Sequence, residues 1–275
     1  MNQTSINTIN DWSHKMRVAT VEMTHNAGRN GAHIGGALSA IEIFATLYST
    51  VANIHPDNKF DENRDRIIVS KGHCVLAYFT ALNLAGFISD EIMSTFETNG
   101  TTLHGHPTRN LERGIEFSAG SLGLGISYAV GVAKACQLRN MNNRIFVILG
   151  DGECNEGIVW EALAFAAHHK LSNLTIILDR NRLQLDAPTA EICNMESFEE
   201  KFKAFNFDVD VVNGHDASEL VEALIKRYER TNVVIADTIK GKGISFLENN
   251  PANHHYVLND KQYTQAMEEL GYGAE

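Results

Sequence analysis

Five short runs rich in β-branched residues, at 66–70, 144–149, 174–178, 207–212 and 232–238, recur along the chain with longer helical patterns between them. The amphipathic or alanine-rich stretches at 75–85, 123–138, 157–169 and 218–230, preceded by 11–26 and 38–50, are predicted helices. Parallel strands need crossover connections, so alternating strand and helix predicts an α/β fold, a mostly parallel sheet with helices on both faces. At 275 residues, 44% of them hydrophobic, the chain can close such a core without disulfide or metal staples. No internal repeat, low-complexity tract or Pro/Ser-rich linker divides it, and the expectation is a single domain over 1–275.

Several function classes are disfavoured. Thirty-four acidic residues against 23 basic ones give a net charge of −11. That argues against a chain whose main work is gripping nucleic acid or an anionic membrane, because both need clustered positive charge. The first residues lack the basic stretch and apolar core of a secretory signal, and no uncharged apolar run approaches the roughly 18 residues of a membrane span. A cytoplasmic location is the expectation. Cys74, Cys136, Cys154 and Cys193 lie far apart with no C-x-x-C pair, so reduced thiols are expected rather than zinc or redox chemistry.

In an open parallel sheet, ligands bind beyond the carboxyl ends of the strands. Four of the five predicted strands run into chemistry-bearing segments: Ser70-Lys71-Gly72-His73, Gly150-Asp151-Gly152-Glu153, Asp179-Arg180-Asn181 and Lys240-Gly241-Lys242-Gly243. Asn181 follows Asp151 by 30 residues, about one βαβ unit, which sets a carboxylate and an amide oxygen side by side at the sheet edge. Both are hard oxygen donors suited to Mg²⁺ or Ca²⁺. The glycines allow close backbone approach, and the helix beginning near Gly157 offers its N-terminus to a phosphate. A metal bridging to a diphosphate is the natural occupant.

The run from Gly150 to Ala162, followed by Leu178-Asp179-Arg180-Asn181-Arg182-Leu183-Gln184-Leu185-Asp186, resembles the thiamine-diphosphate motif of transketolases. Ala32-His33-Ile34-Gly35-Gly36, Ser70-Lys71-Gly72-His73, Gly105-His106-Pro107, Gly120-Ser121-Leu122-Gly123 and Lys240-Gly241-Lys242-Gly243 agree in order, so the resemblance spans nearly the whole chain. It implies that Asp151, Asn181 and the Leu183 carbonyl bind the metal (Mg²⁺, with Ca²⁺ or Mn²⁺ as alternatives), and that Gly150 and Gly152 lie against the diphosphate. By the same resemblance, His73 and His254 line the diphosphate and thiazolium side, His33 and His106 reach the sugar, and Gly120 and Leu122 touch the cofactor rings. Lys71 is read as a phosphate ligand, with a solvated loop charge as the alternative, and Lys242 as a cofactor-binding residue. Glu156 is expected beside the cofactor, and with Glu161 it matches acidic positions at a subunit interface.

The implied reaction moves a two-carbon ketol unit from a ketose, ordinarily a sugar phosphate, to an aldose. In the family a glutamate from a pyrimidine-binding domain activates the cofactor, and that domain lies C-terminal to the segment matched here. The resemblance therefore implies an N-terminal subunit, inactive alone, completed by a C-terminal partner subunit in an α2β2 assembly. Departures from the pattern are Ala32, Leu124, Ala187 and the segment Ala252-Asn253-His254-His255, where split relatives usually read Ala-Trp-His-Gly. Either His254 or His255 could be the functional imidazole. Alternative readings are the α subunit of a 2-oxo acid dehydrogenase, which carries a similar motif, and a non-catalytic cofactor-binding subunit. His14, His25, His55, His168, His169 and His215 are expected to be surface or packing residues.

Overall fold

The computed structural model describes residues 3–185 and 187–272. Asp186, part of the quoted motif, lies outside the described residues. Strands β1 (Arg66–Val69), β2 (Ile145–Gly150), β3 (Leu174–Arg180), β6 (Asp208–Asn213) and β7 (Asn232–Asp237) form one sheet in the order β1-β2-β3-β7-β6, with every neighbouring pair parallel. Two short segments, β4 (Leu183–Gln184) and β5 (Ala187–Pro188), pair antiparallel in the loop after β3.

Side chains alternate across the sheet with the two-residue period of a strand. Ile67, Val69, Phe146, Ile148 and Ile177 pack in a core with the helices Gln3–Asn26, Ile41–Thr46, Val75–Leu84 and Ala217–Ile225. Ile68, Ile145, Val147, Leu149, Ile176 and Leu178 pack in a second core with Leu124–Leu138, Gly157–His169 and Phe198–Ala204. Burial on both faces explains why β2 and β3 read as continuous apolar runs. All five sheet strands match the predicted ones to within two residues at either end.

Three helices differ from the periodicity, the first only in its start, since the helix expected at 11–26 runs from Gln3 to Asn26. The pattern at 218–230 begins as expected, with Asp216 accepting hydrogen bonds from the Ser218 and Glu219 amides at 2.8 and 3.0 Å, yet the helix stops at Ile225. Beyond it, Lys226 and Tyr228 both reach Asp210 on β6, and Arg227 donates to the Asn142 carbonyl. Tertiary partners outweigh the good helix propensity of Lys226, Arg227, Glu229 and Arg230 there. The stretch 38–50 is not one helix either: Ile34–Leu38 ends at Ser39, whose hydroxyl lies 2.7 Å from Asp179 Oδ2, and Ile41–Thr46 restarts after the non-helical Ala40. Among the described residues no helix is long and apolar enough to cross a membrane.

Candidate active site

The register of the sheet sets Gly150 opposite Asp179, so Asp151 and Asn181 leave adjoining strand ends. Beyond these ends lies a cavity of about 350 Å³. His33, Lys71, His73, His106, Gly120, Leu122, Gly150, Asp151, Gly152, Glu156, Asn181, Leu183 and His254 all line it, brought from segments spread over more than 200 residues. Lys242 does not. Its ammonium pairs with Glu248 at 3.2 Å, and Lys240, two residues earlier and 1% exposed, takes the place in the wall.

Asp151 is buried, with Oδ1 accepting the Gly152 amide at 2.8 Å and Oδ2 the Arg182 amide at 2.6 Å. Burial, then the neighbouring Asp179 carboxylate, push its carboxyl up to about 6 against those two hydrogen bonds. A divalent cation would relieve both penalties. Asn181 accepts the Leu183 amide at 3.1 Å, which ties the second donor to the backbone expected to supply the third. At Gly152 a Cβ would stand 2.6 Å from Gln184 Oε1, so only glycine leaves this approach open. That oxygen is buried without a hydrogen-bond partner among the described residues. Oxygen-only donors, a buried carboxylate and a side-chain-free approach fit a metal and a diphosphate.

Two further carboxylates hold this corner together, and neither was assigned a role from sequence. Asp179 is fully buried and accepts from Lys71, Ser39 and Thr238, joining the ends of β1, β3 and β7 to the turn at Ser39. Burial, the largest influence, pushes its carboxyl up, but the Lys71 ammonium together with the hydrogen bonds from Lys71, Thr238 and Ser39 holds it below the usual range; the same pairing holds the ammonium charged. Lys71 is thus committed to Asp179 and the Gly36 carbonyl rather than exposed in a loop. Glu153 accepts from Ser70 Oγ at 2.5 Å, from the Gly123 amide at 2.8 Å and from the Gly150 amide at 3.0 Å. It sets the Gly120–Leu122 loop against the metal corner. A carboxylate ending an apolar strand, and a glutamate directly after Gly-Asp-Gly, were the available signals.

The opposite wall is built of imidazoles. An antiparallel bridge between Ala32 and Tyr256 carries His33 to the segment holding His254, and Gly31 makes the turn at φ +62°. His33 lies with its ring centre 5.1 Å from His106 and 5.3 Å from His254; His73 lies 5.1 Å from His254. His255 is exposed and meets His33 edge-on at 4.8 Å, but of the two adjacent histidines it is His254 that lines the cavity. Burial first, then neighbouring imidazoles and Lys240, lower His33 from 6.5 to about 3. His73 is held well below its ordinary value by burial and by Lys71, and burial lowers His106. At neutral pH His33, His73 and His106 are uncharged, each with one N–H donor and one acceptor, suited to sugar hydroxyls and carbonyls and to passing protons. Nδ1 of His33 is buried and without a partner among the described residues. Glu156 and Glu161 are both exposed, Glu156 at the cavity rim.

His215, expected to be a surface or packing residue, packs beneath the site. Its Nδ1 lies 3.0 Å from Glu42 Oε2, and its Nε2 accepts the Ile239 amide at 2.8 Å, so it braces the segment leading to Lys240.

The family described as "Transketolase, thiamine diphosphate binding domain" matches residues 9–275. The chain is 37% identical to an apulose-4-phosphate transketolase subunit of Phocaeicola vulgatus, over 96% of this chain and 94% of that one. It is 38% identical to the 6-deoxy-6-sulfo-D-fructose transketolase subunit SqwG of a Clostridium species, over 94% and 96%. The solved transketolase of Campylobacter jejuni superposes with a TM-score of 0.87 at 27% identity, over 99% of this chain but only 44% of that larger one. The expected α/β cofactor-binding fold is therefore present, and the matched family is transketolase, not the 2-oxo acid dehydrogenases. The chain belongs to the transketolase family, as its thiamine diphosphate binding domain.

Proposed function

We propose that this chain is the diphosphate-binding subunit of a two-chain transketolase that moves a two-carbon ketol unit from a ketose phosphate to an aldose phosphate. The observation that carries this reading is the meeting, in one cavity, of the Asp151, Asn181 and Leu183 corner with His33, His73, His106 and His254. Relatives named as subunits align along nearly their whole length, which supports a single-domain subunit that works with a second chain. That partner carries the pyrimidine-binding domain and its glutamate, in an α2β2 assembly in the cytoplasm.

Bound thiamine diphosphate supplies the electron sink for carbon–carbon bond cleavage. In this reading Asp151, Asn181 and the Leu183 carbonyl hold Mg²⁺, and the Gly150 and Gly152 backbone accommodates the diphosphate. Gly120 and Leu122 flank the rings. His73 and His254 line the diphosphate and thiazolium side. His33 and His106 orient the sugar and move protons at its hydroxyls. Lys71 acts through Asp179, and Glu156 faces the partner at the cavity rim.

The test is to tag the chain in its host, purify it gently with Mg²⁺, and measure native mass, thiamine diphosphate content and ketol transfer. The donor screen should cover sugar phosphates and sulfonated sugars, since both appear in the relatives' names. Co-purification of a second chain with bound cofactor and transfer activity is expected. Recovery of the chain alone, without cofactor or activity, would overturn the reading in favour of a non-catalytic subunit.

A further inference from the structure

We propose that Lys240 is a positioning residue that holds His254 in the tautomer carrying its proton on Nε2. Lys240 Nζ lies 3.2 Å from His254 Nδ1. An ammonium has three donors and no acceptor, so the nitrogen facing it must present a lone pair. A neutral imidazole has one proton, and that proton then resides on Nε2.

The geometry is held rather than incidental, because Lys240 is 1% exposed and sits in a segment anchored on four sides. The Ile239 amide donates to His215 Nε2 at 2.8 Å, and the Gly241 amide donates to the Gly35 carbonyl at 3.0 Å. The Lys240 carbonyl accepts the Asn249 amide at 2.9 Å. The Lys242 carbonyl accepts Arg17 Nε at 2.9 Å, and Arg17 in turn pairs with Glu42 at 2.6 Å, the carboxylate that also holds His215. On the other side, His254 faces His73 and His33 within 5.1–5.3 Å.

The consequence is that His254 offers the cavity a donor and not an acceptor, so it pairs with an oxygen lone pair of a phosphate, carbonyl or alkoxide. Which oxygen it meets rests on the proposed transketolase reading; the tautomer does not. A charge-assisted hydrogen bond of this kind biases the two tautomers on the order of tenfold or more.

Long-range ¹H–¹⁵N correlation spectra of the full-length chain labelled at histidine nitrogens test this without cofactor, partner or turnover, with His254→Gln assigning the signals. The expected result is a protonated Nε2 and an Nδ1 resonance displaced by hydrogen bonding. Lys240→Met should return that resonance to the free-acceptor position and relax the tautomer bias, and Lys240→Arg should restore both. A wild-type His254 protonated on Nδ1, or an Nδ1 resonance unchanged in Lys240→Met, would overturn the proposal. The wild-type spectrum decides the tautomer even where Lys240→Met fails to fold. Failure here leaves the ketol-transfer assay untouched, and the reverse holds.

Discussion

The Lys71 ammonium is paired with the Asp179 carboxylate with neither side chain exposed to solvent, which puts a complete ion pair inside the end of the parallel sheet. Removing one partner strands a buried charge. Lys71→Met should lower unfolding free energy by about 3–5 kcal/mol, as should Asp179→Asn where Lys71 stays charged. The double variant should recover part of that loss, because no uncompensated charge remains. Urea unfolding of the four proteins gives the coupling; additive losses would show that the two side chains act independently.

Asp151 is the anionic donor of the proposed metal corner. Asp151→Ala should weaken Mg²⁺-dependent binding of thiamine diphosphate to the assembled complex at least 10–100-fold, roughly the range seen even for groups that only orient a ligand. Titration calorimetry with and without Mg²⁺ reads this directly, independent of turnover. Unchanged affinity would sink the metal assignment.

Glu153 receives one hydroxyl and two backbone amides from three separate segments. Glu153→Ala leaves the Gly123 and Gly150 amides without this acceptor, at a cost of about 1–3 kcal/mol for each that stays buried and unpaired. Hydrogen exchange should speed up first at Gly123 and Gly150. Equal protection in variant and wild type would mean that Glu153 does not hold the Gly120–Leu122 loop in place.

His33 has its pKa lowered from 6.5 to about 3 by burial first, then by the neighbouring imidazoles and Lys240. The unfolded chain therefore binds a proton at this position that the folded chain refuses between those pH values. The associated stability is present above pH 6.5 and is lost as pH falls toward about 3. The thermal midpoint of wild type relative to His33→Gln should accordingly decline as pH drops from about 7 to about 4. A pH-independent difference between the two midpoints would contradict a neutral, buried His33.

The order of β-branched runs and helical stretches determined the parallel sheet, because strand period and crossover length are local properties of the chain. It also determined which residues meet at the strand ends: once β2 and β3 pair in parallel, Asp151 and Asn181 must emerge together. Helix ends were less legible. The helix Ala217–Ile225 stops where Tyr228 and Lys226 find Asp210, a partner no local pattern announces. Only the tertiary structure decided that Lys240 rather than Lys242 enters the cavity, that Asp179 and Glu153 brace it, and that His215 holds the loop. Each of those outcomes depends on the direction a side chain takes and on what lies across from it, and neither is set until distant segments pack.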